Sequence, residues 1–201
     1  MFLYGVVLFF FMKRYRIYLF RHGRTHDNVD GEFSGWRDTR LVKSGVDDAR
    51  IVAERLKKKK FQVAFHTRLV RSKQTLKEVL KFHPECKIIL EDDRMIERNY
   101  GDLNGLTHLS IVKKKGPELY DKWHRGWNSR PPRGESFADI EKRVKSFIKD
   151  LKKFMRKNEV DVVISAHGNS IRLLRKIMER LSIKETVELC IPYNVVFEYV
   201  V

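Results

Sequence analysis

Two cysteines in 201 residues, Cys86 and Cys190, are too few for a disulfide framework. A chain of this length buries roughly 70% of its unfolded surface and needs no covalent or metal staples. Two reduced thiols in a cytoplasmic protein are the expected state. Gly 11 and Pro 5 are too few for a fibrous or low-complexity chain. A hydrophobic share of 42% with 11% aromatics excludes disorder. Long apolar runs are also missing. Residues 2–12, FLYGVVLFFFM, fall short of the about 20 residues that a membrane span needs. That run has no basic region before it and no small-residue cleavage site after it. Met12, followed by Lys13-Arg14-Tyr15-Arg16, reads as a second start. Residues 1–11 are therefore expected to be an upstream or loosely attached extension, and residues 12–201 a single domain. Acidic residues are scarce: 26 Asp+Glu face 42 Lys+Arg, a net charge of +16. Such a surplus points to an acidic partner, whether nucleic acid, anionic membrane or a small anionic substrate.

No repeat or linker divides the chain, and strand-like and helix-like periods alternate. Strands are expected at 17–20, 62–66, 87–90, 160–166 and 195–200. Ser44, with Asp47 three residues on, reads as the cap of a helix that buries Val46, Ala49, Val52, Ala53 and Leu56. A second helix spans 69–82 and stops at Pro84. Residues 106–126 read as short helices around Pro117. Ser136 with Asp139 caps the clearest helix, whose apolar stripe runs through Ile140, Val144, Phe147, Ile148, Leu151, Phe154 and Met155. The last helix buries Ile171, Leu174, Ile177, Met178 and Leu181. This alternation predicts an α/β fold: three αβα layers around a mostly parallel sheet with one antiparallel edge strand.

Two of the strands run into the same dipeptide. The first ends in Phe20-Arg21-His22-Gly23 and the fourth in Ser165-Ala166-His167-Gly168. Ligands of open α/β sheets bind just beyond the carboxyl ends of strands, where both histidines fall. If the strands are neighbours, the imidazoles face each other, and each glycine lets the backbone pass close to a ligand. The helix that starts after His167 favours an anion at its N-terminus. Arg21 and Arg71, each close to a strand end, add guanidinium forks that suit phosphate oxygens. Two histidines with two arginines, and no Cys or acidic cluster at ligand spacing, point to a phosphoryl group rather than a metal, with a histidine as nucleophile.

These residues also carry a resemblance. Leu19-Phe20-Arg21-His22-Gly23-Arg24-Thr25, with Asn28, resembles the LxRHGxT signature of the histidine phosphatase superfamily. Phe33-Ser34-Gly35-Trp36 with Asp38, Leu41 and Gly45 is similar to the F-T-G-W stretch of its cofactor-dependent phosphoglycerate mutase branch. Thr67, Leu69, Arg71, Gln74 and Thr75, then residues 97–105 (ERNYGDLNG), then Gly134-Glu135-Ser136, and finally residues 166–172 (AHGNSIR) follow in the family order. The resemblance covers about residues 16–200. It implies a phosphoglycerate-mutase-like fold in which His22 becomes phosphohistidine. Arg21, Arg71 and His167 would surround the transferring group, and Glu97 would move the proton. Read from the residue alone, Glu97 is an ion-pair partner of Arg98 or Arg71. Thr25, Asn28 and Gly168 would add phosphate hydrogen bonds. Ser34, Gly35, Arg98, Tyr100, His108, Arg125 and Asn169 match positions that hold a carboxylate or second phosphate.

The implied activity is interconversion of 3-phosphoglycerate and 2-phosphoglycerate, within glycolysis and gluconeogenesis, primed by 2,3-bisphosphoglycerate and without metal. A monomer or small homo-oligomer in the cytoplasm is expected. His108 departs from the Lys usual in mutases, and His124-Arg125 departs from a pair of arginines. Leu106-Thr107 is similar to phosphatases, so hydrolysis of small phosphate monoesters is the alternative. A basic nucleic-acid-binding protein is the distant one. The lysine runs at 57–60, 113–115 and 149–157 show no nucleic-acid motif and read as solvated helix ends and faces. No nucleic-acid or membrane partner is expected.

Overall fold

A computed structural model describes residues 13–201; the expected extension at 1–11 lies outside them. The elements run β1 (Arg16–Arg21), α1 (His26–Val29), α2 (Lys43–Leu56), β2 (Val63–His66), α3 (Val70–Leu80) and β3 (Ile88–Glu91). They continue through α4 (His108–Lys115), α5 (Pro117–Arg125), α6 (Phe137–Asn158), β4 (Val162–Ala166), α7 (Gly168–Glu179), α8 (Ile183–Glu188) and β5 (Val196–Val200). The five strands lie in the order β3-β2-β4-β1-β5. Every pair is parallel except β1 with β5, which places the expected antiparallel strand at one edge.

Side-chain alternation along the central strands feeds two cores, one on each face of the sheet. Ile17, Leu19, Val63, Phe65, Val162 and Ile164 pack with the buried stripes of α6 and α7. Tyr18, Phe20, Ala64 and Val163 pack on the other face with Val52, Ala53 and Leu56 of α2 and Leu76 and Val79 of α3. The three layers follow from that division. Among the described residues no helix is long and apolar enough to cross a membrane.

Ser136 caps α6 as expected: its hydroxyl accepts from the Asp139 N–H at 3.2 Å, and the Asp139 carboxylate accepts from the Ser136 N–H at 3.0 Å. The start of α2 differs. Its N-cap is Val42, with no side-chain cap, so Ser44 lies inside the first turn. A tertiary contact sets this start instead. The Val42 N–H donates to the Arg24 carbonyl at 3.0 Å, and a Cβ on Gly45 would sit 1.9 Å from that same oxygen. A Cβ on Gly23 would sit 2.0 Å from the Gly45 carbonyl. The glycine after His22 thus serves backbone-on-backbone packing against α2, not ligand approach.

Candidate active site

The register of the two central strands brings the histidines together. Arg21 pairs with Ala166, and the His22 N–H continues the ladder to the Ala166 carbonyl at 3.0 Å. The rings of His22 and His167 then lie with centroids 5.0 Å apart. Both are buried, at 2% and 0% exposure. The Nδ1–H of His22 donates to the Gly23 carbonyl at 2.8 Å, and Arg71 Nε donates to His22 Nε2 at 3.2 Å. Together these bonds fix the tautomer, with the lone pair on Nε2. Burial, then Arg71 and Arg21, hold the His22 pKa well below the ordinary imidazole value. Burial and Arg71 do the same to His167. Both rings are neutral at pH 7.

Arg71, on the first turn of α3, is fully buried. It also donates to the Arg37 and Gly35 carbonyls, each at 2.7 Å. Burial lowers its pKa to about 10, which leaves it charged at neutral pH. His167 Nε2 is 2.8 Å from Thr67 Oγ1. The His167 side chain faces the Ser170 N–H in a capping box at the start of α7, while Arg21 Nε and Ser34 Oγ are buried without a hydrogen-bond partner among the described residues. Buried polar atoms without partners are costly and call for a ligand. Both can donate, and two guanidinium cations flank them. The set fits a phosphoryl group.

Glu97 closes the opposite wall. It forms no ion pair with Arg98 or Arg71; instead its Oε1 accepts from the Arg98 N–H at 2.7 Å, the Asn169 N–H at 3.2 Å and Asn169 Nδ2 at 2.9 Å. Oε2 stays near Gly168, 3.5 Å from where a Cβ would stand. The Glu97 carbonyl accepts from Trp36 Nε1 at 2.7 Å and Arg143 Nη2 at 3.1 Å, so its backbone is pinned as well. Trp36 therefore braces the site.

Arg21, His22, Asn28, Ser34, Gly35, Arg71, Glu97, Tyr100, His108, Gly168 and Asn169 line one cavity. His167 lies beside His22 without lining that cavity, and three other expected site residues sit differently. Thr25 is fully buried and caps α1, accepting from the Asn28 N–H at 3.3 Å. Arg98 is fully buried away from that cavity, its guanidinium spent on the carbonyls of Glu135, His124, Trp123 and Ser129. Arg125 reaches the Val187 carbonyl and does not line the cavity.

Five lining residues carry no assigned role from the sequence: Glu32, Phe33, His124, Arg172 and Ile191. Arg172 was findable, since it follows Asn169 by three residues on α7 and so shares its face. Its Nη1 donates to Asn169 Oδ1 at 2.7 Å and its Nε to the Leu189 carbonyl at 2.8 Å. At the far end of the cavity His108 and His124 stand 5.3 Å apart around Phe33. Burial and Arg125 lower both, His124 to about 3. That end is thus polar, and the charges of Arg125 and Arg172 both bear on His124 there.

Against known proteins, the model of the histidine phosphatase superfamily, branch 1, matches residues 17–196. A 2,3-bisphosphoglycerate-dependent phosphoglycerate mutase of Gloeobacter violaceus is 33% identical over 89% of this chain and 83% of its own. A phosphoglycerate mutase of Schizosaccharomyces pombe is 36% identical over 82% of this chain and 79% of its own. Among solved structures, a mycobacterial glucosyl-3-phosphoglycerate phosphatase superposes with a TM-score of 0.76 at 26% identity, covering 89% of this chain and 85% of that one.

Proposed function

The chain belongs to the histidine phosphatase superfamily, branch 1, and from that premise we propose that it interconverts 3-phosphoglycerate and 2-phosphoglycerate through a phosphohistidine on His22. The observation that carries the reading is the fixed lone pair on a neutral His22 Nε2, beside buried side-chain atoms that have no protein partner. Nε2 forms a bond to phosphorus as the ester P–O bond breaks. Arg21, Arg71 and His167 take up charge on the phosphoryl oxygens. Glu97 Oε2 passes a proton to the leaving oxygen and recovers one from the hydroxyl that accepts the phosphoryl group next. When bound, 2,3-bisphosphoglycerate supplies the phosphoryl group that loads His22. Tyr100, Asn169 and Arg172 would hold the end of the substrate that is not transferred. The mutase names of relatives at 33–36% identity support this choice.

Phosphatase action on a small monoester is the second reading. The far end of the cavity favours it, because Arg98 and Arg125 are engaged elsewhere and His108 and His124 are neutral. Of Arg98, Arg125 and Arg172, a second phosphate dianion would meet Arg172 alone in the cavity lining. The phosphatase named among the structural neighbours points the same way. A coupled assay in EDTA, with and without the bisphosphate, separates the two. Primer-stimulated 2-phosphoglycerate formation supports the mutase. Phosphate release that exceeds isomerisation, with no response to primer, overturns it in favour of the phosphatase.

A further inference from the structure

We propose that Tyr193 is a positioning residue that holds Arg21 in its phosphoryl-binding pose. The inference rests on the reading of Arg21 as a phosphoryl ligand. Arg21 is the last residue of β1, and its guanidinium has an unusual set of neighbours. It forms no ion pair with Asp or Glu among the described residues. Its charge bears on its neighbours: with Arg71 it depresses His22, and it also depresses Arg172, on which the Glu97 carboxylate acts with the opposite sign.

Two contacts from the segment between α8 and β5 hold the guanidinium. The Ile191 carbonyl accepts from Arg21 Nη1 at 2.9 Å, and the ring of Tyr193 lies 3.9 Å from Arg21 Cζ. These contacts leave Nε buried and without a partner. An aromatic face is suited to this task. It attracts the cation without neutralising it, whereas a carboxylate would hold Arg21 by consuming the charge that the phosphoryl group needs.

The segment that carries Tyr193 is itself tied down. Arg172 Nε donates to the Leu189 carbonyl at 2.8 Å and Arg125 to that of Val187. Tyr193 also lies 5.9 Å from Arg24 Cζ, and Arg24 is locked by a two-pronged pair with buried Asp48 at 2.8 and 2.9 Å. The ring is therefore braced by elements on both sides of the sheet.

The test uses the full chain with p-nitrophenyl phosphate as substrate and orthovanadate as the phosphoryl probe. Tyr193→Phe keeps the ring and is expected to stay within about twofold of the parent. Tyr193→Leu is expected to lower kcat by about tenfold and weaken orthovanadate inhibition by a similar factor. In an Arg21→Ala background, Tyr193→Leu is expected to add no further loss, because its effect runs through Arg21. A Tyr193→Leu enzyme equal to the parent overturns the inference, as does an undiminished loss in the Arg21→Ala background, which would mark general structural damage. Full activity in Arg21→Ala alone removes the reading of Arg21 as a phosphoryl ligand, and the inference falls with it.

Discussion

Folding this site holds its histidines neutral, so acid protonates them far more readily in the unfolded chain. His22, His167 and His124 all have pKa values depressed by burial, the last to about 3. In the unfolded chain each returns to about 6.5. The folded state thus binds fewer protons than the unfolded one below that value. Stability is fully present above pH 6.5 and is lost as pH falls from there toward the depressed folded values. Between pH 7.5 and 5.5, each histidine that titrates only when unfolded costs about 1.4 kcal/mol. Three such groups cost about 4 kcal/mol, a large part of the 5–15 kcal/mol typical of a domain, and His108, also lowered by burial, adds in the same direction. The window stays above the ordinary carboxyl range, so lost ion pairs do not contribute. Urea unfolding at pH 7.5, 6.5 and 5.5, at constant ionic strength, measures the drop. His124→Asn should reduce it by about a third, since one of the three groups is removed. Equal unfolding free energies at pH 7.5 and 5.5 would refute the claim that these rings are neutral in the folded protein.

Three further outcomes are expected. His22→Ala should abolish acid-labile phosphoenzyme after exposure to labelled bisphosphoglycerate; label that survives acid-sensitive quantification in this variant would remove His22 as nucleophile. Glu97→Gln keeps an acceptor for the Arg98 and Asn169 N–H groups but cannot carry the proton, so kcat should fall about 10²–10⁴-fold with little change in melting temperature. Arg172→Ala should raise KM for 3-phosphoglycerate far more than Arg125→Ala does, because Arg172 lines the cavity and Arg125 does not; the reverse order in steady-state kinetics would place the substrate elsewhere.

The parts of the molecule written in local patterns were legible in the sequence. Apolar strands ending in His-Gly located the sheet and its two histidines, and Ser136 with Asp139 located the longest helix. Direction was not legible. A motif can name Arg98, yet only packing shows that its guanidinium is spent on four carbonyls. Thr25 has the sequence position of a phosphate ligand but the geometry of a helix cap. Ser44 looks like a cap because capping is local, whereas the start of α2 is set by Gly45 meeting the backbone of Arg24 from another element. Tyr193 has no signal at all: it reaches Arg21 across more than 170 residues, and no periodicity records that contact.

The strand pair that joins the histidines has a consequence for how such an enzyme can diversify. Their 5.0 Å separation is close to the spacing of hydrogen-bonded strands. It is therefore a property of the β1–β4 ladder, which no loop can loosen without breaking the sheet. The far end of the cavity, by contrast, is built from the segments that carry Phe33, His108, His124 and Ile191, which lie outside every strand. The histidine pair and the far end of the cavity thus rest on separate parts of the fold. A lineage can exchange the second to acquire a new ester while inheriting the first unchanged.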